Sequence, residues 1–413
     1  MKVLIVNFSD VEGGAARAAN RLHQSLLKEQ IDSKMFVLEK SSNNFTVIGP
    51  KTNKQKIIAK IQSLLNTWPL KKHKRIAPFS ASFSPTFNIS KRINNLNPDV
   101  VHLHWINAGM LRVEDLKKIK APLVWSLHDM WAFTGGCHYS NKCELYKLKC
   151  GKCEVLQSGK ENDISRKIFN RKLKTYNKIS NFTIIGLSKW LESCAKSSTL
   201  FKNKKVVNLP NPIDTSVFKK IDKEKSRELF NLPSNKKLIL FGAMSATSDV
   251  RKGYKELCQA LSKLENKDQD IELLVFGSDK PQKTQEFGFK THYLGQLKDS
   301  VSLIALYNAA DVMVVPSLQE NLSNVIMESL SCSTPVVGFN IGGNSDLIDH
   351  KKNGYLASPF NIEDLAKGIN WVISNNNYNT LCSNARTKIT QNFDYKIVSK
   401  QYIELYSSII ENN

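Results

Sequence analysis

Between Lys40 and Pro98 the sequence contains no aspartate and no glutamate, while the same stretch carries eleven lysines and arginines. Over the whole 413-residue chain, 59 Lys and Arg face 37 Asp and Glu, a formal net charge of +22. A balance this basic implies an anionic partner: a phosphate-rich ligand, a nucleic acid or a membrane surface. Long hydrophobic runs are also missing. None approaches the ~20 apolar residues of a membrane span. The apolar run in Met1-Lys2-Val3-Leu4-Ile5-Val6-Asn7 is too short for a secretory signal. The expectation is a cytoplasmic chain whose eight cysteines stay reduced. There is no internal repeat beyond two similar α/β halves, and no low-complexity tract except Asn375-Asn376-Asn377. A hydrophobic content of 41% is ordinary, and the length suffices for two domains with full cores.

The most informative stretch runs from Val312 to Glu328. Val312 to Val315 are all apolar, which reads as a strand covered on both faces in a parallel sheet. Pro316 ends it. Ser323 stands where an N-cap hydroxyl is wanted, and Val325 to Cys332 read as a short helix. The amides of Leu322, Ser323 and Asn324 fall in its first turn, where no internal partner exists, so they form an anion site. Glu320 lies in the loop and Glu328 about one turn into the helix. A phosphate takes the amides, and two carboxylates accept hydrogen bonds from hydroxyls on either side of it. A sugar nucleotide has that layout, with its diphosphate between sugar and ribose. Two merely solvated glutamates are the alternative, since short motifs match by chance; the strand, proline and helix around the pair favour the site.

The pattern Pro316-Ser317-Leu318-Gln319-Glu320-Asn321-Leu322-Ser323-Asn324-Val325-Ile326-Met327-Glu328 resembles the retaining glycosyltransferases of family four. Thr334-Pro335-Val336-Val337-Gly338-Phe339, Gly342-Gly343 and Asn353-Gly354-Tyr355-Leu356 continue the likeness, which is strongest from about residue 205 onward. The resemblance implies an α/β chain of two Rossmann-like domains facing across a cleft, the B-type glycosyltransferase fold. The expected division is an acceptor-binding domain at 1–205 and a donor-binding domain at 206–394. A terminal helix, 395–413, crosses back to the first domain.

Lys2 to Asn7 reads as the first strand, and Gly13-Gly14 opens a helix from Ala15 to Lys28, letting a backbone or ligand approach closely. This is not a complete dinucleotide fingerprint, and a plain tight turn fits it equally. By resemblance, Gly13 and Gly14 face the donor diphosphate, with Arg17 near. Two further strands, at Asp99–Trp105 and Pro122–Asp129, end in polar residues, which is where open parallel sheets bind ligands. His128 is similar to the family histidine that contacts the donor sugar; His104 and Asp129 are weaker candidates for the acceptor pocket. Asn211, in a proline-stiffened junction at 206–214, matches the family's Asn-x-x-Asp segment. After a strand at Lys237–Gly242, Lys252-Gly253 matches the family's lysine at a helix start, where it binds donor phosphates. The family's arginine directly after the strand glycine is replaced here by Ala243; Arg251 is the candidate substitute. Gly295 lies near the nucleobase by the same analogy.

Cys137, Cys143, Cys150 and Cys153 fall within 17 residues, and the last pair has the two-residue spacing of a zinc knuckle. A structural zinc is weighed against free or oxidised thiols. Four thiolates leave no open position for zinc-water chemistry. In the acid-free stretch, Ile57 to Trp68 has helical apolar spacing, followed by Lys71-Lys72-His73-Lys74-Arg75. An apolar face with a basic flank suits an anionic membrane surface; a solvated loop is the alternative.

The expected function is a retaining transfer from a nucleotide diphosphate sugar to a hydroxyl of a glycan or lipid-linked glycan acceptor in cell-surface polysaccharide biosynthesis. It takes place at the inner face of the membrane. Glu320 holds donor sugar hydroxyls, Glu328 the ribose, and Lys252 with Arg251 stabilises the leaving diphosphate. No cofactor is needed for catalysis if those cations and the helix amides neutralise the diphosphate. Sugar-nucleotide epimerisation on the same fold would need a second acid–base set, which is not evident. A nucleic-acid-binding protein would explain the charge but lacks a recognition module.

Overall fold

The computed structural model describes residues 1–83, 88–242, 247–264, 270–278, 289–297 and 299–412. The chain divides into two compact units, Met1–Pro212 with Val398–Asn413, and Ile213–Ile397. Each is built on one parallel sheet.

In the first unit the strands are β1 (Lys2–Val6), β2 (Asp32–Phe36), β3 (Val47–Ile48), β4 (Val100–Leu103), β5 (Leu123–Leu127), β6 (Phe182–Gly186) and β7 (Lys205–Asn208). Their order is β3-β2-β1-β4-β5-β6-β7. β4, β5 and β6 are buried at every position, as expected of strands covered on both faces. The order reverses at β1, which pairs with β2 on one side and β4 on the other. Open α/β sheets place their binding crevice at the carboxyl ends of the strands flanking such a reversal. Here the chain leaves β1 toward Gly13 and leaves β4 toward His104. The helix Gly14–Lys28 follows β1 and buries Ala16, Ala18, Ala19, Leu22 and Leu26 on the sheet. Part of the terminal helix Tyr395–Glu411 belongs to this unit, where the Tyr406 hydroxyl lies 2.6 Å from His102 Nδ1.

In the second unit the strands are β8 (Lys237–Gly242), β9 (Ile271–Phe276), β10 (Thr291–Tyr293), β11 (Val312–Val315), β12 (Val336–Phe339) and β13 (Gly354–Ala357), in the order β10-β9-β8-β11-β12-β13. Its reversal lies at β8, which pairs with β9 and β11. The carboxyl ends of β8 and β11 lead to Lys252 and Glu320. The sequence reads β8 and β11 with their observed bounds, because short, largely apolar runs have few other ways to be buried.

Candidate active site

In the second unit the chain after β8 returns through a short 3-10 turn, Val250–Lys252, into the helix Tyr254–Ser262. Gly253 between them has φ +74°, and a Cβ there would stand 1.9 Å from the Pro316 carbonyl oxygen. Only glycine lets the turn that carries Lys252 close onto the end of β11. The Leu318 N–H donates to the Arg251 carbonyl at 2.8 Å and completes that seam. Across it, Lys252 Nζ donates to Glu320 Oε2 at 3.0 Å, both side chains being largely buried. Phe241, Gly242, Lys252, Pro316, Ser317 and Glu320 line one small pocket. Glu320 is held from behind as well. Gly342 has φ +51°, and a Cβ on it would meet the Glu320 carbonyl oxygen at 1.8 Å. The sequence brings Lys252 and Glu320 into one candidate list; the structure brings their charged atoms into contact.

Arg251 is engaged elsewhere. Its guanidinium reaches both Asp249 oxygens, at 3.1 and 2.6 Å. Burial pushes the Asp249 carboxyl up, but the Arg251 hydrogen bond and charge outweigh it and hold it below the ordinary range. Ala243, the position of the family's arginine, lies outside the described residues.

The helix after Glu320 spans Asn324–Ser331, one residue earlier than the sequence suggests. Ser323 is its N-cap by backbone geometry, yet its side chain makes no capping hydrogen bond, against expectation. The residue type permits such a bond, but the rotamer decides it. Leu322 and Ser323 are buried at the helix start, where first-turn amides have no partner within the helix and favour an anion. Glu328 is buried one turn further on and accepts the Tyr307 hydroxyl at 2.7 Å through Oε2. Tyr307, from the helix Ser300–Ala309, carries no sequence signal for this role. Gly295 follows β10 with φ +62°, and its carbonyl accepts the Gly277 N–H at 2.7 Å.

In the first unit, Gly13 caps the helix Gly14–Lys28 with φ +98°, and its carbonyl accepts the Arg17 N–H at 3.0 Å. Asn211 is buried near the end of the unit's main segment. A second pocket is lined by His104, Trp105, Asn107, His128, Asp129 and Trp131 among others. His104 Nδ1 and His128 Nε2 are 2.8 Å apart. Burial lowers His128 to about 4 and His102, behind it, to about 3, so both imidazoles are neutral near pH 7. The buried His104 Nε2 has no hydrogen-bond partner among the described residues. Asp129 joins a chain that sequence reasoning missed. His138 Nδ1 lies 2.7 Å from Asp129 Oδ2, and His138 Nε2 lies 2.8 Å from Ser80 Oγ. Burial raises Asp129, but the His138 charge and hydrogen bond reverse this and leave it low. With Asp129 ionised, Nδ1 donates to it, and Nε2 shares a hydrogen bond with the Ser80 hydroxyl. Ser80 is 58 residues upstream of His138, so no spacing could announce it.

Cys137, Cys143, Cys150 and Cys153, expected as zinc ligands, are free thiols. Among the described residues, no three His, Cys, Asp or Glu side chains are grouped so as to hold a metal ion. Burial raises the Cys137 thiol and pushes Cys150 up to about 12. Cys150 Sγ accepts the Gly135 N–H at 3.2 Å. Behind the loop, fully buried Lys172 donates to the Trp131 and Thr134 carbonyls and lies 3.7 Å from the Trp131 ring centroid.

Two reversal points, each with glycine-shaped loops and polar side chains at the strand ends, make this an α/β chain of two Rossmann-like units, the B-type fold of the solved glycosyltransferases it aligns with. Residues 222–391 match the family described as "Glycosyl transferases group 1". An uncharacterized glycosyltransferase of Methanocaldococcus jannaschii is 25% identical over 340 residues, 76% of this chain and 83% of its own. The Escherichia coli (strain K12) protein WcaC, named as a colanic acid biosynthesis glycosyl transferase, is 23% identical over 354 residues, 82% of each chain. Among solved structures, sucrose-phosphate synthase from Thermosynechococcus elongatus aligns over 100% of both chains with a TM-score of 0.68 at 16% identity. Anabaena HepE in complex with UDP and glucose aligns over 99% of this chain and 100% of its own with a TM-score of 0.67 at 17% identity. The match to the group 1 glycosyltransferases lies within the second unit, at residues 222–391.

Proposed function

We propose that this protein is a retaining, metal-independent transferase that moves a sugar from a nucleotide diphosphate sugar to a hydroxyl of a glycan or lipid-linked glycan acceptor. The setting proposed is cell-surface polysaccharide biosynthesis at the cytoplasmic face of the membrane. The observation that carries the reading is the Lys252–Glu320 pair at the carboxyl ends of β8 and β11. In the reaction the bond between the anomeric carbon and the diphosphate oxygen breaks, and a bond from that carbon to the acceptor oxygen forms. The acceptor proton leaves with the diphosphate. Negative charge therefore grows on the diphosphate, and a preorganised cation beside it is the electrostatic kind of catalyst. Lys252 supplies that cation, and the Leu322 to Asn324 amides supply fixed dipoles. Glu320 accepts sugar hydroxyls. Glu328 accepts a ribose hydroxyl, sharing its carboxylate with Tyr307. Arg251 assists if it leaves Asp249. Gly295 takes the base edge, and Gly13, Gly14, Asn211 and neutral His128 keep the donor-side roles that the resemblance gives them.

The relatives support this reading without fixing its details: HepE was solved with UDP and glucose, and WcaC is named for colanic acid. A structural zinc at Cys137, Cys143, Cys150 and Cys153 is part of the same proposal. Its support is the ligand spacing and the Gly135 N–H on Cys150, the kind of contact that steadies a thiolate ligand. The test is incubation of the purified protein with a panel of sugar nucleotides, following release of the nucleoside diphosphate. One donor should be turned over in preference to the others; release from none of them overturns the reading.

A further inference from the structure

The helix Asn53–Thr67 leaves an apolar stripe facing outward. Its exposed side carries Ile57, Ile61, Leu64 and, just beyond its end, Trp68, which are 58%, 44%, 70% and 66% exposed. Its inward side carries Gln62 and Asn66, which are 2% and 4% exposed, together with half-buried Ile58, Ala59 and Leu65. Gln62 Nε2 donates to the Gly109 carbonyl at 3.4 Å, and the Cβ of an alanine at 109 would stand 2.7 Å from the Gln62 carbonyl oxygen. The inward side is thus held against the unit through Gln62, and the stripe of Ile57, Ile61, Leu64 and Trp68 is left facing outward. At 3.6 residues per turn, positions 57, 61, 64 and 68 fall within about 60° of arc. Lys54 and Lys60 fall at its two edges. Beyond Trp68 come exposed Lys71, Lys72, Lys74 and Arg75, then Ile76, 63% exposed. No acidic residue occurs from 41 to 98.

Scattered exposed apolar side chains need no explanation, but a contiguous stripe does. A stripe one helix wide, edged by lysines and ended by a tryptophan, has the layout of a helix lying in the headgroup region. The positive flank selects an anionic surface. No helix among the described residues is long and apolar enough to cross a membrane, so the contact is peripheral. We infer that the 54–76 segment is the membrane-docking surface of this chain, with Ile57, Ile61, Leu64 and Trp68 entering the acyl boundary of an anionic lipid surface. The inference deepens the proposed function by naming the surface behind its membrane setting. An acidic protein would complement the cations but not the continuous apolar stripe. A second copy of the chain would bring its own cations against these.

The full-length protein is floated with vesicles of phosphatidylcholine, with and without phosphatidylglycerol. Binding should require the anionic lipid, weaken with added salt, and fall at least tenfold when Lys71, Lys72, Lys74 and Arg75 are replaced by Gln. Leu64→Ser with Trp68→Ser should lose binding at least as strongly, while circular dichroism and the thermal midpoint stay at wild-type values. The wild-type tryptophan emission should shift to the blue on vesicle addition, and this shift should be absent in the double variant. No vesicle binding, equal binding to neutral vesicles, or unchanged binding in both variants overturns the inference. So does self-association in sedimentation velocity that Leu64→Ser abolishes. Nucleotide release from a sugar nucleotide is measured on the same samples. If release continues while vesicle binding fails, only the docking surface is refuted.

Discussion

Lys252 Nζ lies 3.0 Å from Glu320 Oε2, joining residues 68 apart in sequence. Both come from loops at the carboxyl ends of neighbouring strands, and both are held by glycines that tolerate no side chain. The pair neutralises its own charge within the site. A diphosphate must therefore compete with Glu320 for the lysine, and the carboxylate released is left beside the ligand to accept its hydroxyls. Lys252 and Glu320 are separable by mutation, because they are proposed to serve different parts of one ligand.

Lys252→Ala should lower turnover about 10²–10³-fold, the usual cost of removing one preorganised stabiliser of developing charge. Free nucleoside diphosphate should bind only modestly more weakly, since that ligand is bound in its ground state and the helix amides remain. Parallel titration calorimetry and steady-state rates check this. A loss confined to binding, with turnover at saturation unchanged, contradicts the role.

Gly253→Ala should destabilise the second unit by more than about 1 kcal/mol, since alanine is strained at positive φ and its Cβ would collide with the Pro316 carbonyl. Turnover should fall with it, because the turn that aims Lys252 must shift. Gly159→Ala is the control: an added Cβ there meets nothing within 4 Å. Thermal unfolding of the two variants should separate them clearly; equal midpoints would show that the turn is not constrained as described.

The first unit should lose stability between pH 7.5 and 5.5. Burial lowers His23 and His128 to about 4 and His102 to about 3. An unfolded histidine titrates near 6.5. Below that pH the unfolded chain takes up protons that the folded chain refuses, so stability present at neutral pH is lost as pH falls. Well below pH 6.5 each histidine contributes roughly 1 kcal/mol per pH unit. Carboxylates remain ionised over most of this window, which isolates the effect. A urea midpoint unchanged from pH 7.5 to 5.5 would contradict it.

The cysteine cluster should bring about one zinc per chain through purification without added metal. Elemental analysis together with thiol titration checks this. Zinc far below one per chain, with all four thiols freely titratable, would refute it. Brief chelation should leave nucleotide release intact unless the loop unfolds.

Strands such as Val312–Val315 before Pro316 were legible because they are continuous apolar runs ended by proline, glycine or polar residues, whereas β2, with exposed Asp32 and Lys34, and β7, which falls in the stretch read as a junction, were not. Glu320 and Lys252 were legible as separate motif members, but not as a pair, because nothing local encodes a contact across two loops. The same limit hid Tyr307 behind Glu328 and Ser80 behind His138. Ser323 shows a different limit: residue type marks a cap position without determining its rotamer. The helix Asn53–Thr67 shows a third. Its apolar spacing was visible, but periodicity finds an apolar face without saying which way it turns. Only the burial of Gln62 and Asn66 reveals that it faces outward.

The most direct test of the central claim is Glu320→Gln, assayed for both sugar transfer and nucleoside diphosphate binding. The substitution keeps the side chain's size and removes its charge, while releasing Lys252 from its partner. Nucleoside diphosphate affinity should stay at or above the wild-type value, since the lysine no longer has a competitor for the phosphates. Transfer should fall sharply, because the sugar hydroxyls lose their charged acceptor. Sugar transfer at the wild-type rate in Glu320→Gln would contradict the assignment of this site.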